Sequence, residues 1–111
     1  MAVKKGGALV VMSAYNKLNN IYCSSHSDLL NKILKDEWSF PGFVVSDWGA
    51  ALETNKNAIG GLDLEMPGPS KTWGKKLLKE VENGNIDESV IDDKVLRILR
   101  VLSFTGRIQN Y

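Results

Sequence analysis

The sequence predicts an α/β fold organised on parallel strands, and three observations carry that prediction. Two continuous apolar runs, Ala8–Tyr15 and Phe43–Ser46, stand between turn residues, as strands buried on both faces do. A third, shorter run, Leu62–Met66, is halted by Pro67-Gly68-Pro69. Stretches with apolar residues at helical spacing separate the three runs and continue to the C-terminus. Strands alternating with amphipathic helices call for βαβ units with right-handed crossovers.

Taken in order, Val3–Gly7 reads as the end of a helix closed by Gly6-Gly7. The first strand then runs into a polar loop, Asn16–Ser25, holding the turn-prone pair Asn19-Asn20. A helix from Ser27 to Glu37 follows, with Ser25 or Ser27 as its cap, Asp28 in its first turn, and Leu29, Leu30, Ile33 and Leu34 as its stripe. After the second strand, Gly49–Ile59 is a weaker helix that Gly60-Gly61 stops. Ser70 opens another helix, carrying Trp73, Leu77, Leu78 and Val81 and ended by Gly84. The last runs from Asp87 to Phe104, with Ile91, Val95, Ile98, Leu99 and Leu102 recurring at helical spacing.

Three parallel strands leave two open edges. Closed (β/α)8 barrels need ~250 residues. The 111 residues therefore match the last part of a TIM-type barrel, with about three of its strands. In that arrangement Tyr15, Asp47 and Met66 share the carboxyl end of the sheet, where parallel folds keep their chemistry.

Composition narrows the function. With 14 Lys+Arg against 13 Asp+Glu, the net charge of +1 argues against a nucleic-acid partner. No apolar run approaches the ~18 residues of a membrane span, and no signal peptide is visible. A single cysteine, Cys23, excludes an internal disulfide, and a single histidine, His26, excludes a His-pair metal motif.

Asp47, just past Phe43-Val44-Val45-Ser46, is the first residue to suspect of chemistry. On position alone, capping the helix that follows is the commoner role for such an aspartate. Cys23 reads as a buried loop residue, His26 as a surface or cap residue, and Trp38 and Trp73 as packing anchors. Asp63 and Glu65 can reach the sheet end or bond neighbouring backbone. Asp92-Asp93 beside Lys94 and Arg97 reads as a solvated, ion-paired face.

The string Val11-Met12-Ser13-Ala14-Tyr15-Asn16, then Gly42-Phe43-Val44-Val45-Ser46-Asp47-Trp48-Gly49 and Gly61-Leu62-Asp63-Leu64-Glu65-Met66-Pro67-Gly68, resembles glycoside hydrolase family 3. Asp36-Glu37-Trp38 and Ile91-Asp92-Asp93-Lys94-Val95 fit the same pattern and order, nearest to the β-glucosidase branch. The resemblance implies that residues 1–111 are the C-terminal portion of the family's N-terminal catalytic barrel, without the second domain. It implies Asp47 as the nucleophile of a retaining exo-glycosidase, hydrolysing nonreducing-end β-glucosides through a covalent intermediate. Trp48 would wall the sugar, Tyr15 would orient the carboxylate, and Met12 would border the pocket or pack in the strand. The acid/base glutamate and the other sugar-binding groups would come from the rest of the parent, so this piece alone should not turn over substrate. No cofactor or metal is implied; the partners would be a carbohydrate and the rest of the barrel. A β-xylosidase, a mixed-specificity glycosidase and a non-catalytic remnant stand as alternatives.

Overall fold

A computed structural model describes residues 1–109. Two of the expected strands form and pair in parallel, β1 (Val10–Ser13) with β4 (Phe43–Ser46). Their register sets Val11 opposite Val44 and Ser13 opposite Ser46, and the Asp47 amide extends the ladder to the Ser13 carbonyl at 3.1 Å. Val44 is fully buried and Val45 nearly so, as a β-branched run covered on both faces requires.

The expected third strand is reduced to a single parallel bridge, Val45 to Leu64. Side chains interrupt its ladder. The Val44 amide is taken by the Asp63 carboxylate at 2.8 Å, and Ser46 Oγ bonds both the amide and the carbonyl of Met66 at 2.9 and 3.2 Å. The segment still runs beside β4 in the expected direction, so the α/β order holds.

The polar loop folds into a small antiparallel hairpin, β2 (Lys17–Leu18) with β3 (Ile21–Tyr22). Asn19 and Asn20 sit at φ 49° and 65°, the left-handed pair that a tight two-residue hairpin turn demands. The Lys17 ammonium stands 4.6 Å from the centre of the Tyr22 ring. A 3₁₀ turn over Cys23–Ser25 leads to a helix at Asp28–Glu37, which is wound as a π-helix. Neither Ser25 nor Ser27 caps it. Their hydroxyls engage Asn57 and Asn31, and His26 Nδ1 accepts the Leu29 amide instead, at 3.3 Å. His26 is therefore a buried cap rather than a surface residue.

Three α-helices follow: α1 (Thr54–Gly60), α2 (Lys75–Glu82) and α3 (Glu88–Phe104). The first two begin later than periodicity suggests, and local bonding explains both delays. Asp47–Ala50 closes a turn, Ala50 amide to Asp47 carbonyl at 2.9 Å, with Gly49 at φ 81° in the third position. Glu65 captures the amides of Lys71, Thr72 and Trp73 at about 3 Å together with the Ser70 hydroxyl, which holds residues 70–73 out of a helix. Asp87 caps α3 as expected, through the Ser89 amide.

The core gathers Leu30 and Leu34 from the π-helix, Phe40, Val44, Ala58, Leu62 and Trp73. Each large aliphatic or aromatic side chain removed from water there is worth roughly 1.5–3 kcal/mol. Trp73 is the packing anchor expected, whereas Trp38 is half exposed. The apolar stripe of α3 is only partly used. Val101 is buried, while Val95, Leu96 and Leu99 face solvent. Among the described residues no helix is long and apolar enough to cross a membrane.

Candidate active site

Parallel strands aim their carboxyl ends to one side, and this arrangement brings together Tyr15, Asp47 and Met66. Tyr15 lies two residues past β1 and Asp47 immediately past β4. The Met66 carbonyl accepts the Gly49 amide at 3.0 Å, which ties the end of the third segment to the turn carrying Asp47. Ser46 Oγ fastens the same point from beneath, fully buried.

The geometry bears on the cap role open to Asp47. A helix cap must accept the amide two or three positions on. The helix that follows begins at Thr54, flanked by Glu53, so Asp47 caps nothing. Its Oδ1 accepts the Trp48 amide at 2.7 Å, which orients the carboxylate on its own turn. The side chain is partly exposed at the sheet end, beside the Tyr15 hydroxyl. A carboxylate anchored through one oxygen and partly exposed can act as a nucleophile or as a base.

Tyr15 stands against this turn. Its hydroxyl donates to the Trp48 carbonyl at 2.7 Å, beside the carboxylate it was expected to orient. The Asp47 carboxylate is close by as an alternative acceptor. Partial desolvation, and then the charge and hydrogen bonding of Asp47, hold the phenol above its ordinary pKa. At 56% exposure Tyr15 is not a core tyrosine. Within this chain Trp48 is 53% exposed and Met12 51%. Met12, Tyr15 and Trp48 are thus exposed, and Asp47 partly so, around the carboxyl ends of β1 and β4. A cleft of about 510 Å³ between the hairpin and α1, lined by Lys17, Tyr22, Glu53 and Lys56, includes none of them.

Two carboxylates near the sheet end are engaged elsewhere. Asp63 is fully buried and bonds Lys35 Nζ and the Val44 amide, both at 2.8 Å. Desolvation raises the Glu65 carboxyl, but the Ser70 hydroxyl and three backbone amides outweigh it and hold the group below its ordinary value. Neither is available to react. Sequence reasoning missed Ser46 and Lys94. Ser46 looked like one more small strand residue. Lys94 was placed on a solvated face, yet it is buried and turned toward Asp63 at 3.9 Å; only Asp93 and Arg97 pair as expected, at 3.0 Å. No group of three or more His, Cys, Asp or Glu among the described residues could hold a metal ion.

Comparison with known proteins adds a family and several relatives. Residues 1–101 match the model of the glycosyl hydrolase family 3 N-terminal domain. The chain is 48% identical over 101 residues to thermostable β-glucosidase B of Acetivibrio thermocellus, covering 91% of this chain and 13% of that protein. It is 44% identical over 108 residues to a β-glucosidase of Rhizobium radiobacter, covering 97% of this chain and 13% of the relative. Among solved structures, β-glucosidase D2-BGL of Chaetomella raphigera superposes with a TM-score of 0.89 at 41% identity, over 97% of this chain and 16% of that one. β-Glucosidase 3B of Thermotoga neapolitana, solved with α-D-glucose, gives 0.85 at 41% identity, over 91% and 15%. The chain therefore spans about one seventh of the length of proteins it matches.

Proposed function

Since the chain belongs to glycosyl hydrolase family 3 through that family's N-terminal domain, we propose that it forms the C-terminal portion of a (β/α)8 catalytic barrel and carries the nucleophile of a retaining β-glucosidase. Its substrates are nonreducing-end β-glucosides, a class favoured by the β-glucosidase relatives and by the glucose held in a similar structure. Asp47 attacks the anomeric carbon and forms a glycosyl ester. The leaving oxygen takes a proton from a second carboxyl group, and water then hydrolyses the ester. In a retaining enzyme the two carboxyl groups stand ~5–5.5 Å apart. Asp63 and Glu65 are both held in internal hydrogen bonds, so that second group comes from outside residues 1–109. The 111-residue piece alone is inactive on this reading. The chemistry needs carboxylates and water and no cofactor.

The observation that carries the proposal is the state of Asp47: anchored by the Trp48 amide, unneeded as a cap, and partly exposed at the sheet end. Trp48 offers an apolar wall to the sugar, and Met12 borders the same space. Tyr15 buttresses the turn through the Trp48 carbonyl and supplies a second hydrogen bond to the carboxylate when its hydroxyl rotates. The experiment is made in the full-length protein with an aryl β-glucoside. Asp47→Asn and Asp47→Ala remove nearly all turnover, and azide partly restores Asp47→Ala with an α-configured glycosyl azide as product. Normal turnover in Asp47→Asn would remove Asp47 from the mechanism.

A further inference from the structure

The turn that carries Asp47 is held from two sides. On one side, the Asp47 amide donates to the Ser13 carbonyl at 3.1 Å, and the Tyr15 hydroxyl donates to the Trp48 carbonyl at 2.7 Å. Both of these lead back to β1. On the other side, the Gly49 amide donates to the Met66 carbonyl at 3.0 Å. Met66 lies in no strand, because the third segment meets β4 at a single bridge, Val45 to Leu64. The Ser46 side chain holds it instead. Its Oγ accepts the Met66 amide at 2.9 Å and donates to the Met66 carbonyl at 3.2 Å. One carbonyl oxygen therefore takes both the Ser46 hydroxyl and the Gly49 amide. A fully buried hydroxyl at the end of an apolar strand has its desolvation offset by such bonds, and here they replace the ladder that stops at Leu64.

We propose that Ser46 is a positioning residue for the glycosidase reaction: through Met66 and Gly49 it sets the place of the Asp47 carboxylate without touching the sugar. This inference rests on the reading of Asp47 as the nucleophile. The one hydrogen bond that orients the carboxylate within its turn, from the Trp48 amide at 2.7 Å, moves with that turn. The carboxylate is therefore aimed by whatever fixes the turn from outside, which is β1 on one side and Met66 on the other. Removing the Ser46 hydroxyl releases Met66 and leaves the β1 side in place. Attack needs the reacting atoms ~3–3.5 Å apart and aligned, and a misplacement of about 1 Å costs roughly 100-fold in rate. Sugar binding does not use Ser46, so the loss falls on the chemical step.

The test uses the full-length protein and an aryl β-glucoside with a slow leaving group, so that attack by Asp47 limits turnover and KM follows binding. Ser46→Ala lowers kcat roughly 10–100-fold and leaves KM within about 2-fold. A second measurement separates positioning from lost fold. A fluorinated glucoside whose glycosyl ester hydrolyses slowly labels the same fraction of Ser46→Ala as of wild type, at a rate reduced in step with kcat. A variant that was only destabilised would label fewer molecules at the normal rate. Ser46→Cys keeps a weaker donor and acceptor in the same place and falls between the two; it carries the test alone if Ser46→Ala yields no soluble protein. Normal labelling rates in the soluble variants, a raised KM with unchanged kcat, or Ser46→Cys no faster than Ser46→Ala would each overturn the proposal. Asp47→Asn is run beside them. If it is inactive while Ser46→Ala is normal, the positioning role alone fails; if it keeps normal turnover, the nucleophile reading fails and takes this role with it.

Discussion

Replacing Asp63 with Asn tests whether the carboxylate behind β4 holds the sheet to its helices. The substitution keeps shape and one acceptor oxygen but removes the buried negative charge that, among the described residues, pairs with Lys35 and Lys94. Removing one partner of a buried ion pair costs roughly 3–5 kcal/mol. Here one carboxylate serves two ammonium groups and also accepts the Val44 amide at 2.8 Å, so the upper part of that range is expected. At roughly 2–4 °C per kcal/mol for a barrel-sized domain, Tm should fall by roughly 10 °C or more. The assay is calorimetry of the full-length protein with and without the substitution. A second variant isolates the cause: adding Lys94→Met to Asp63→Asn removes one of the stranded cations and should recover part of the loss. A fall of under about 3 °C, roughly 1 kcal/mol, would refute the account of Asp63 as the electrostatic centre of the core.

Three further outcomes follow from the same coordinates. Because burial lowers the Lys94 pKa in the folded state from 10.5 to about 8, the unfolded chain binds more protons between those values. The wild type should therefore gain stability as pH rises from about 8 toward 10.5, read from denaturation midpoints, and Lys94→Met should lose its share of that slope while Lys35, whose amine burial also lowers, keeps a part. Gly42→Ala would place a Cβ 1.8 Å from the Leu9 carbonyl oxygen, so it should cost roughly 3 kcal/mol or more and separate β1 from β4, seen as loss of soluble protein. Residues 1–111 expressed alone leave Val10, Met12, Leu96 and Leu99 exposed and the edge of β1 unpaired, so the piece should unfold without a sharp transition or associate. A cooperative monomeric transition would contradict this.

The α/β order was legible because periodicity reports burial, and burial is what separates a strand such as Phe43–Ser46 from an amphipathic helix. Helix ends were less legible where a distant side chain competes for backbone amides. Nothing near Ser70 announces that Glu65 will take the amides of residues 71–73 and delay α2 to Lys75. The third strand was lost for a similar reason, since Asp63 and Ser46 bond the backbone that a ladder would use. The place of the candidate site was legible through Asp47, because a carboxylate directly after a buried strand can occupy only the sheet end. Its competing role as a cap could be dismissed only once the start of α1 at Thr54 was known. Lys94 misled because its neighbours Asp92 and Asp93 are exposed. A helix turns by 100° per residue, and a lysine beside two solvated aspartates can still face the core.

The claim at the centre of the account is that Asp47 becomes covalently bonded to the sugar. The direct measurement mixes the full-length protein with an aryl β-glucoside whose leaving group departs quickly, quenches in acid during turnover, and sequences the digested peptides by mass. The account predicts one hexosyl unit on the peptide spanning residues 43–50, fragmenting to Asp47 and absent from Asp47→Ala. A hexosyl adduct on Asp63, on Glu65 or on a carboxylate outside this chain, with Asp47 unmodified, would contradict it.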